Sequence, residues 1–181
     1  MTINLINGKN VNLRLVNEFD AEFIINLRLK KGEFLSQTAP DIQKQQNWIK
    51  EYKKRERNKE EFYFIIEDKQ NNKLGSVRIY NINYKENRFT FGSFIIDKDL
   101  SNDKYIALES ITLAFDFSFN KLGLDHCYFD CRKNNKIANN FYNRYGISII
   151  DEDNMDYFYY YNKKYFIKDF QKHKFIYDTI S

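Results

Sequence analysis

His126, Cys127, Asp130 and Cys131 gather most of the metal-ligating and nucleophilic residue types of this 181-residue chain into one short segment. Alternation along a strand sends His126, Tyr128 and Asp130 to one face and both cysteines to the other, so four ligands cannot converge on a metal from this segment. The cysteines share a face at even spacing with Cβ atoms too far apart to bridge readily, and two free thiols fit a reducing compartment. A cysteine nucleophile lacks a base, because the second histidine, His173, lies in a Lys-rich tail and no triad can be built. The next helix carries Tyr142. By periodicity alone Ala138, Phe141, Tyr142 and Tyr145 form one apolar helical stripe, and that spacing favours core packing over chemistry.

The elements that must position these residues follow from the punctuation. A helix from about Tyr105 to Phe119 stops at Gly123. A strand then runs from His126 to Cys131, a turn passes through Asn134, and a helix runs from Asn135 to a second stop at Gly146. Upstream, Val11 to Leu15 alternates as a strand, and Asn17 caps an amphipathic helix through Phe19, Phe23 and Leu27. Pro40 suits the first turn of a second helix, with Gln45, Trp48, Ile49 and Tyr52 on one face and an end near Arg57. The long loop from Lys31 to Ala39 joins the two. Phe62 to Glu67, Ser76 to Tyr80 and Arg88 to Ile96 read as an antiparallel meander, with Gly92 marking a bulge or a close backbone approach. Two aromatic strands around Asn162 and Lys163 are expected in the tail. This order predicts an α/β fold in one domain over residues 1–181, a mixed sheet of about seven strands with helices on both faces.

Composition narrows the function classes. No apolar run is long enough to span a bilayer and Met1 to Lys9 lacks a secretory pattern, so the expectation is a cytoplasmic protein with no membrane partner. A net charge of +4 suits an anionic ligand but is too small to imply nucleic acid. The basic run Lys53 to Arg57 reads as a solvated helix end, and Tyr157 to Tyr161 as an aromatic strand rather than a base-stacking platform.

Three groups of residues resemble the GNAT superfamily of acyl-CoA N-acetyltransferases, and the order of elements is similar over nearly the whole chain. The strongest is Asn135-x-x-Ala138-x-x-Phe141-Tyr142-x-x-x-Gly146. The resemblance implies that this helix borders the CoA arm, that Asn135 and Ala138 contact it, and that Tyr142 is the general acid to the departing thiolate. Phe91-Gly92-Ser93-Phe94-Ile95-Ile96 resembles the central strand whose backbone at Phe94, Ile95 and Ile96 would bond the pantetheine and receive the oxyanion. Ala107-Leu108-Glu109-Ser110 resembles the start of the helix behind the pyrophosphate loop, which places Asp103, Lys104, Tyr105, Ile106 and Ala107 at that loop. Here the sequence departs from the family: both loop glycines are absent and Asp103 has the wrong charge for a phosphate, with Lys98, Lys104 and Lys136 as substitute cations.

The resemblance implies acetyl-CoA as co-substrate, a small-molecule amine as acceptor, no metal, and a monomer or homodimer. Its details look similar to relatives associated with bacterial surface-polysaccharide sugars and to the ribosomal-protein-acetyltransferase-like branch. An amino-sugar nucleotide is therefore the leading acceptor, with Arg28, Arg78 and Arg132 as phosphate ligands. Protein N-terminal, polyamine and aminoglycoside acetylation stay open, as does a non-catalytic CoA-fold binding module. Thr90 stands where some relatives carry a glutamate, so the base is unassigned among Glu67, Asp97, Glu109 and a water chain.

Overall fold

The computed structural model describes residues 5–36, 38–100 and 105–172. Strands β1 (Leu5–Asn7) and β2 (Val11–Leu15) lead through a 3-10 turn at Glu18–Asp20 into α1 (Ala21–Lys31). Helix α2 (Ile42–Arg57) precedes the meander β3 (Phe62–Asp68), β4 (Lys73–Asn83) and β5 (Arg88–Ile96). Helix α3 (Ile106–Asp116) widens into a π turn at Phe117–Lys121, and β6 (His126–Arg132) follows. Next come α4 (Lys136–Tyr145), β7 (Ser148–Glu152), β8 (Asp156–Asn162) and α5 (Lys163–Lys172). The strands form one sheet in the order β1-β2-β3-β4-β5-β6-β8-β7, parallel at β5–β6 and antiparallel elsewhere.

Strand alternation divides the apolar residues between the two sheet faces. In β3, Phe62, Phe64 and Ile66 join the larger core with Ile111, Phe115 and Tyr145 of α3 and α4. Tyr63 and Ile65 point the other way, to a smaller core with Ile24 of α1 and Ile49 and Tyr52 of α2. Helices therefore cover both faces, as expected.

The sheet has eight strands rather than about seven. The short β1 pairs with β2, and the tail differs from its expected pair of strands. The residues after Asn162 form a helix, which Asn162 caps by accepting from the Tyr165 N–H at 3.0 Å. Phe166 seats that helix against Phe119 at 5.4 Å, a tertiary contact that outweighs the β-propensity of Tyr165-Phe166-Ile167. Asn17 does cap, but it caps the 3-10 turn, so α1 starts at Ala21 and leaves Phe19 91% exposed rather than on the apolar face. Likewise α2 starts after Pro40, at Ile42, with Asp41 accepting from Lys44 N–H.

Two buried carboxylates hold the framework. Glu109, fully buried in α3, accepts from the Asn10 backbone N–H at 2.9 Å, its Nδ2 at 2.9 Å and the Val11 N–H at 3.3 Å. Asp20 lies between Arg14 at 2.9 Å and Lys73 at 2.7 Å, and Arg14 also bonds Glu67 at 2.8 Å. Burial acts to raise the Asp20 carboxyl, but hydrogen bonds from Arg14, Lys73 and the Asn17 backbone outweigh it and hold the pKa below the ordinary value.

Candidate active site

The site begins with a flaw in the sheet. β5 pairs with β6 only at Arg88, Phe89 and Thr90, opposite His126, Cys127 and Tyr128. Beyond Thr90 the two strands separate while β5 continues to pair with β4 up to Ile96. One edge of β5 therefore turns its ladder groups into an opening, where a ligand carrying amides can add as a strand would. A cleft of about 1030 Å³ fills the gap, lined by Phe91 to Phe94 on one side and Phe129 to Asn135 on the other.

A bulge sets the direction of this edge. Ser76 faces Ile95 and Arg78 faces Gly92, so one β4 residue, Val77, opposes both Ser93 and Phe94. Ser93 takes φ +46°, a left-handed conformation uncommon outside glycine. The added residue shifts the alternation, so that Phe94 and Ile96 pack on the same core as Phe89 and Phe91. Gly92 fits because a Cβ there would sit 2.9 Å from the Tyr80 ring.

From the α3–α4 face, helix α4 closes the cleft with Asn135, Ala138 and Tyr142. Asn135 caps the helix by accepting from the Ala138 N–H at 3.2 Å, and Gly146 ends it at φ +96°. The Tyr142 ring is fixed edge-on by Phe129 at 5.0 Å, Tyr159 at 5.4 Å and Phe91 at 6.4 Å. No hydrogen bond joins its hydroxyl to another described residue. Tyr145, one turn on, bonds Thr112 Oγ1 at 2.9 Å. Burial pushes the Tyr142 phenol well up, with Cys131, Tyr159, Cys127 and Asp130 adding to the rise, so it holds its proton at neutral pH.

From the opposite face come Arg28 of α1, Phe34, Leu35 and Ser36 of the α1–α2 loop, and Arg78 and Tyr80 of β4. β6 adds Asp130 and Arg132, because its alternation buries Cys127, Phe129 and Cys131 on the other side. Burial, reinforced by Asp130 and Asp156, pushes the Cys131 thiol up to about 11, and burial alone drives Cys127 well above its ordinary value. Both cysteines are free, and no cluster among the described residues could hold a metal ion.

Of the residues singled out in the sequence, Phe94, Asn135, Ala138 and Tyr142 meet in this cleft, together with Arg28, Arg78 and Arg132. Ile95 and Ile96 lie further along β5, outside the cleft lining. Tyr105, Ile106 and Ala107 start α3, also outside it. Asp103 and Lys104 fall outside the described residues. The three carboxylates considered as bases are engaged elsewhere: Glu109 with Asn10 and Val11, Glu67 with Arg14, and Asp97 with Lys30 at 3.0 Å. Tyr80 and the loop residues Phe34 to Ser36 were not among the sequence candidates, and Asp130 and Ser93 were named without a role in this cleft. The loop's length was the available signal, since connections of that size are often functional.

A family model described as an acetyltransferase (GNAT) domain matches residues 10–148. The chain belongs to the GNAT family. Apo FdhC, a nucleotide-linked sugar GNAT, is 32% identical, with 95% of this chain and 97% of that one covered at a TM-score of 0.86. Dodecameric spermidine N-acetyltransferase from Vibrio cholerae (22% identity, 87% and 96% covered, TM-score 0.72) shares the fold. So does ribosomal-protein-S5-alanine acetyltransferase from Vibrio fischeri (14%, 87% and 96%, 0.75). No curated protein matches the sequence. This GNAT protein is thus an N-acetyltransferase that takes acetyl-CoA as co-substrate and an amine as acceptor. The open β5 edge and the α4 wall suit an extended arm carrying amides, such as pantetheine. Among the described residues, no helix is long and apolar enough to cross a membrane.

Proposed function

We propose that this chain acetylates the amino group of a nucleotide-linked sugar in the cytoplasm, with residues 1–181 acting as one domain. The observation that carries the reading is Arg28, a cleft-lining guanidinium with no carboxylate partner among the described residues, whereas Arg78, Arg132 and Lys133 line the same cleft paired with Glu61, Asp156 and Glu152. The similarity to a nucleotide-linked sugar GNAT points the same way.

Acetyl-CoA supplies an acetyl group activated as a thioester. The pantetheine arm lies along the β5 edge, and the backbone N–H groups around Phe94 face the carbonyl oxygen as negative charge develops on it. Attack joins the amine nitrogen to the acetyl carbon and the carbon–sulfur bond breaks. The Tyr142 hydroxyl, protonated at neutral pH, gives its proton to the departing sulfur. Asp130 is the β6 carboxylate on the acceptor side of the cleft and takes the proton lost by the amine, directly or through water. The edge strand β7 exposes Ile149 and Ile150, which favours a homodimer.

The test measures CoA thiol release with an amino-sugar nucleotide, spermidine and an alanine-terminated peptide as acceptors. The amino-sugar nucleotide is expected to give the highest kcat/KM. Preference for spermidine or the peptide would overturn the acceptor, and thiol release with none of them would sink the whole reading.

A further inference from the structure

A second cavity, of about 230 Å³, lies on the α1–α2 face and is lined by residues including Arg28, Lys44, Gln45, Trp48, Tyr63 and Arg78. It meets the large cleft at Arg28, Ser36 and Arg78, which line both spaces. Its volume is below the roughly 300 Å³ at which whole-ligand pockets begin, so it suits one portion of a larger molecule.

Its chemistry favours an anionic, aromatic portion. Arg28 differs from the other arginines of the cleft: Arg78 pairs with Glu61 and Arg132 with Asp156. Arg28 bonds only neutral oxygens, the Thr38 hydroxyl and the Ser36 carbonyl and hydroxyl at 2.7 and 2.9 Å. No ion pair joins it to a carboxylate among the described residues, so its charge is uncompensated and its planar donors are preset by the loop. Arg78 lies 5.2 Å from the Trp48 ring, 5.5 Å from Tyr63 and 4.9 Å from Tyr80. Tyr63 is 2% exposed at the cavity wall, and its hydroxyl makes no hydrogen bond of ordinary geometry among the described residues, with Ser76 and Arg28 beside it. A buried hydroxyl in that position is a donor or acceptor for whatever enters.

We propose that this cavity is the nucleotide subsite of the acceptor. The diphosphate bridges Arg28 and Arg78 at the junction, the base occupies the space beside Trp48, Gln45 and Tyr63, and the amino sugar extends into the large cleft beside Gly92. The order of parts follows the sheet, because Arg78 lies directly across from Gly92 on the neighbouring strand. This assignment rests on the acceptor reading above, but it can fail separately from it.

Trp48 is the only tryptophan of the chain, so intrinsic fluorescence reports on the cavity. The full chain, saturated with CoA so that its adenine nucleotide cannot compete, is titrated with dTDP, UDP or inorganic pyrophosphate. A saturable fluorescence change is expected with at least one nucleoside diphosphate, and weaker binding with pyrophosphate. Arg28→Gln is expected to weaken nucleotide binding by about tenfold or more and to raise the acceptor KM similarly, with kcat changed by less than about twofold. Arg28→Lys should recover part of the loss, because it restores charge without the planar fork. If Arg28→Gln fails to fold, Lys44→Gln replaces it, with a smaller loss expected.

The subsite is overturned if neither nucleotide changes the signal, if pyrophosphate binds as tightly as dTDP and UDP, or if the folded variants bind like the wild type. Acetylation of the amino-sugar nucleotide with an unchanged KM in Arg28→Gln would keep the acceptor and sink the subsite. Nucleotide binding through Arg28, without acetylation of any nucleotide-linked amino sugar, would keep the subsite and sink the acceptor.

Discussion

The two faces of the sheet bury aromatic rings to different ends. On the α3–α4 face the rings pack against each other and their polar tips are paired: Tyr145 with Thr112, Tyr159 with Asn139 at 2.8 Å, Tyr161 with Asp169 at 3.0 Å. Tyr142 stands apart in that group, with its hydroxyl unpaired among the described residues and its ring at the cleft wall. On the α1–α2 face the rings instead support guanidinium groups, with Arg55 5.5 Å and Arg78 5.2 Å from the same Trp48 ring. The first face is therefore suited to hold a neutral proton donor beside a long, mostly apolar arm, and the second to hold charge for an anionic acceptor. At the opening between β5 and β6 the described residues of both faces reach a common space.

The sharpest test of that contrast swaps the two tyrosines of one helical stripe. Tyr142→Phe is expected to lower kcat by about a hundredfold, a typical contribution of a positioned general acid. Its CoA affinity and melting temperature should remain near wild type, because no described partner loses a bond. Tyr145→Phe removes the hydroxyl that donates to Thr112 Oγ1, which keeps its own bond to the Leu108 carbonyl at 2.7 Å, and should cost about 1 kcal/mol of stability with little change in kcat. Stopped-flow thiol release and urea unfolding on both variants decide it, and equal kinetic effects would break the distinction.

Glu109→Ala removes the acceptor for two backbone N–H groups at the β1–β2 turn, those of half-buried Asn10 and fully buried Val11. A loss of about 3 kcal/mol or more is expected from the orphaned donors, with kcat retained in the folded fraction. A pure kcat defect would instead return Glu109 to the list of catalytic candidates. Gly92→Ala should push the Tyr80 ring aside for about 1 kcal/mol of stability, while the acceptor KM rises and the CoA affinity holds. A change in CoA affinity alone would mean that Gly92 serves the other face.

The smallest effect concerns acid. Because the folded-state pKa of Asp20 lies below its unfolded value, its contribution is complete above about pH 4 and is lost as pH falls through the folded value. Melting curves from pH 7 to pH 3 should show a weaker acid dependence in Asp20→Asn. A wild-type slope in that variant would mean that other carboxylates carry the acid loss.

Much of this arrangement could be read from residue order. The stop at Gly123, the alternation of His126 to Cys131, and the Asn135 cap and Gly146 stop of α4 depend on neighbours within a few positions, and each stands as read. Gly92 likewise announced an irregular strand. Errors arose where local signals were outweighed. Tyr165 to Ile167 favour strand by type, yet fold as a helix because Phe166 finds Phe119. Glu109, a plausible base by position in the sequence, is fixed by contacts 98 and 99 residues away.

By itself, then, the sequence determined the order of elements from β2 to α4, the faces of a regular strand such as β6 and the stripe that holds Tyr142, because those follow from periods of two and 3.6 and from capping chemistry. Only the tertiary structure decided which tyrosine of that stripe keeps an unengaged hydroxyl. It also decided that Arg28, of three arginines, has no acidic partner among the described residues, and that α1, α2 and β4 line a second cavity. Each of these depends on which distant groups meet and neutralise one another, and spacing along the chain does not carry that information.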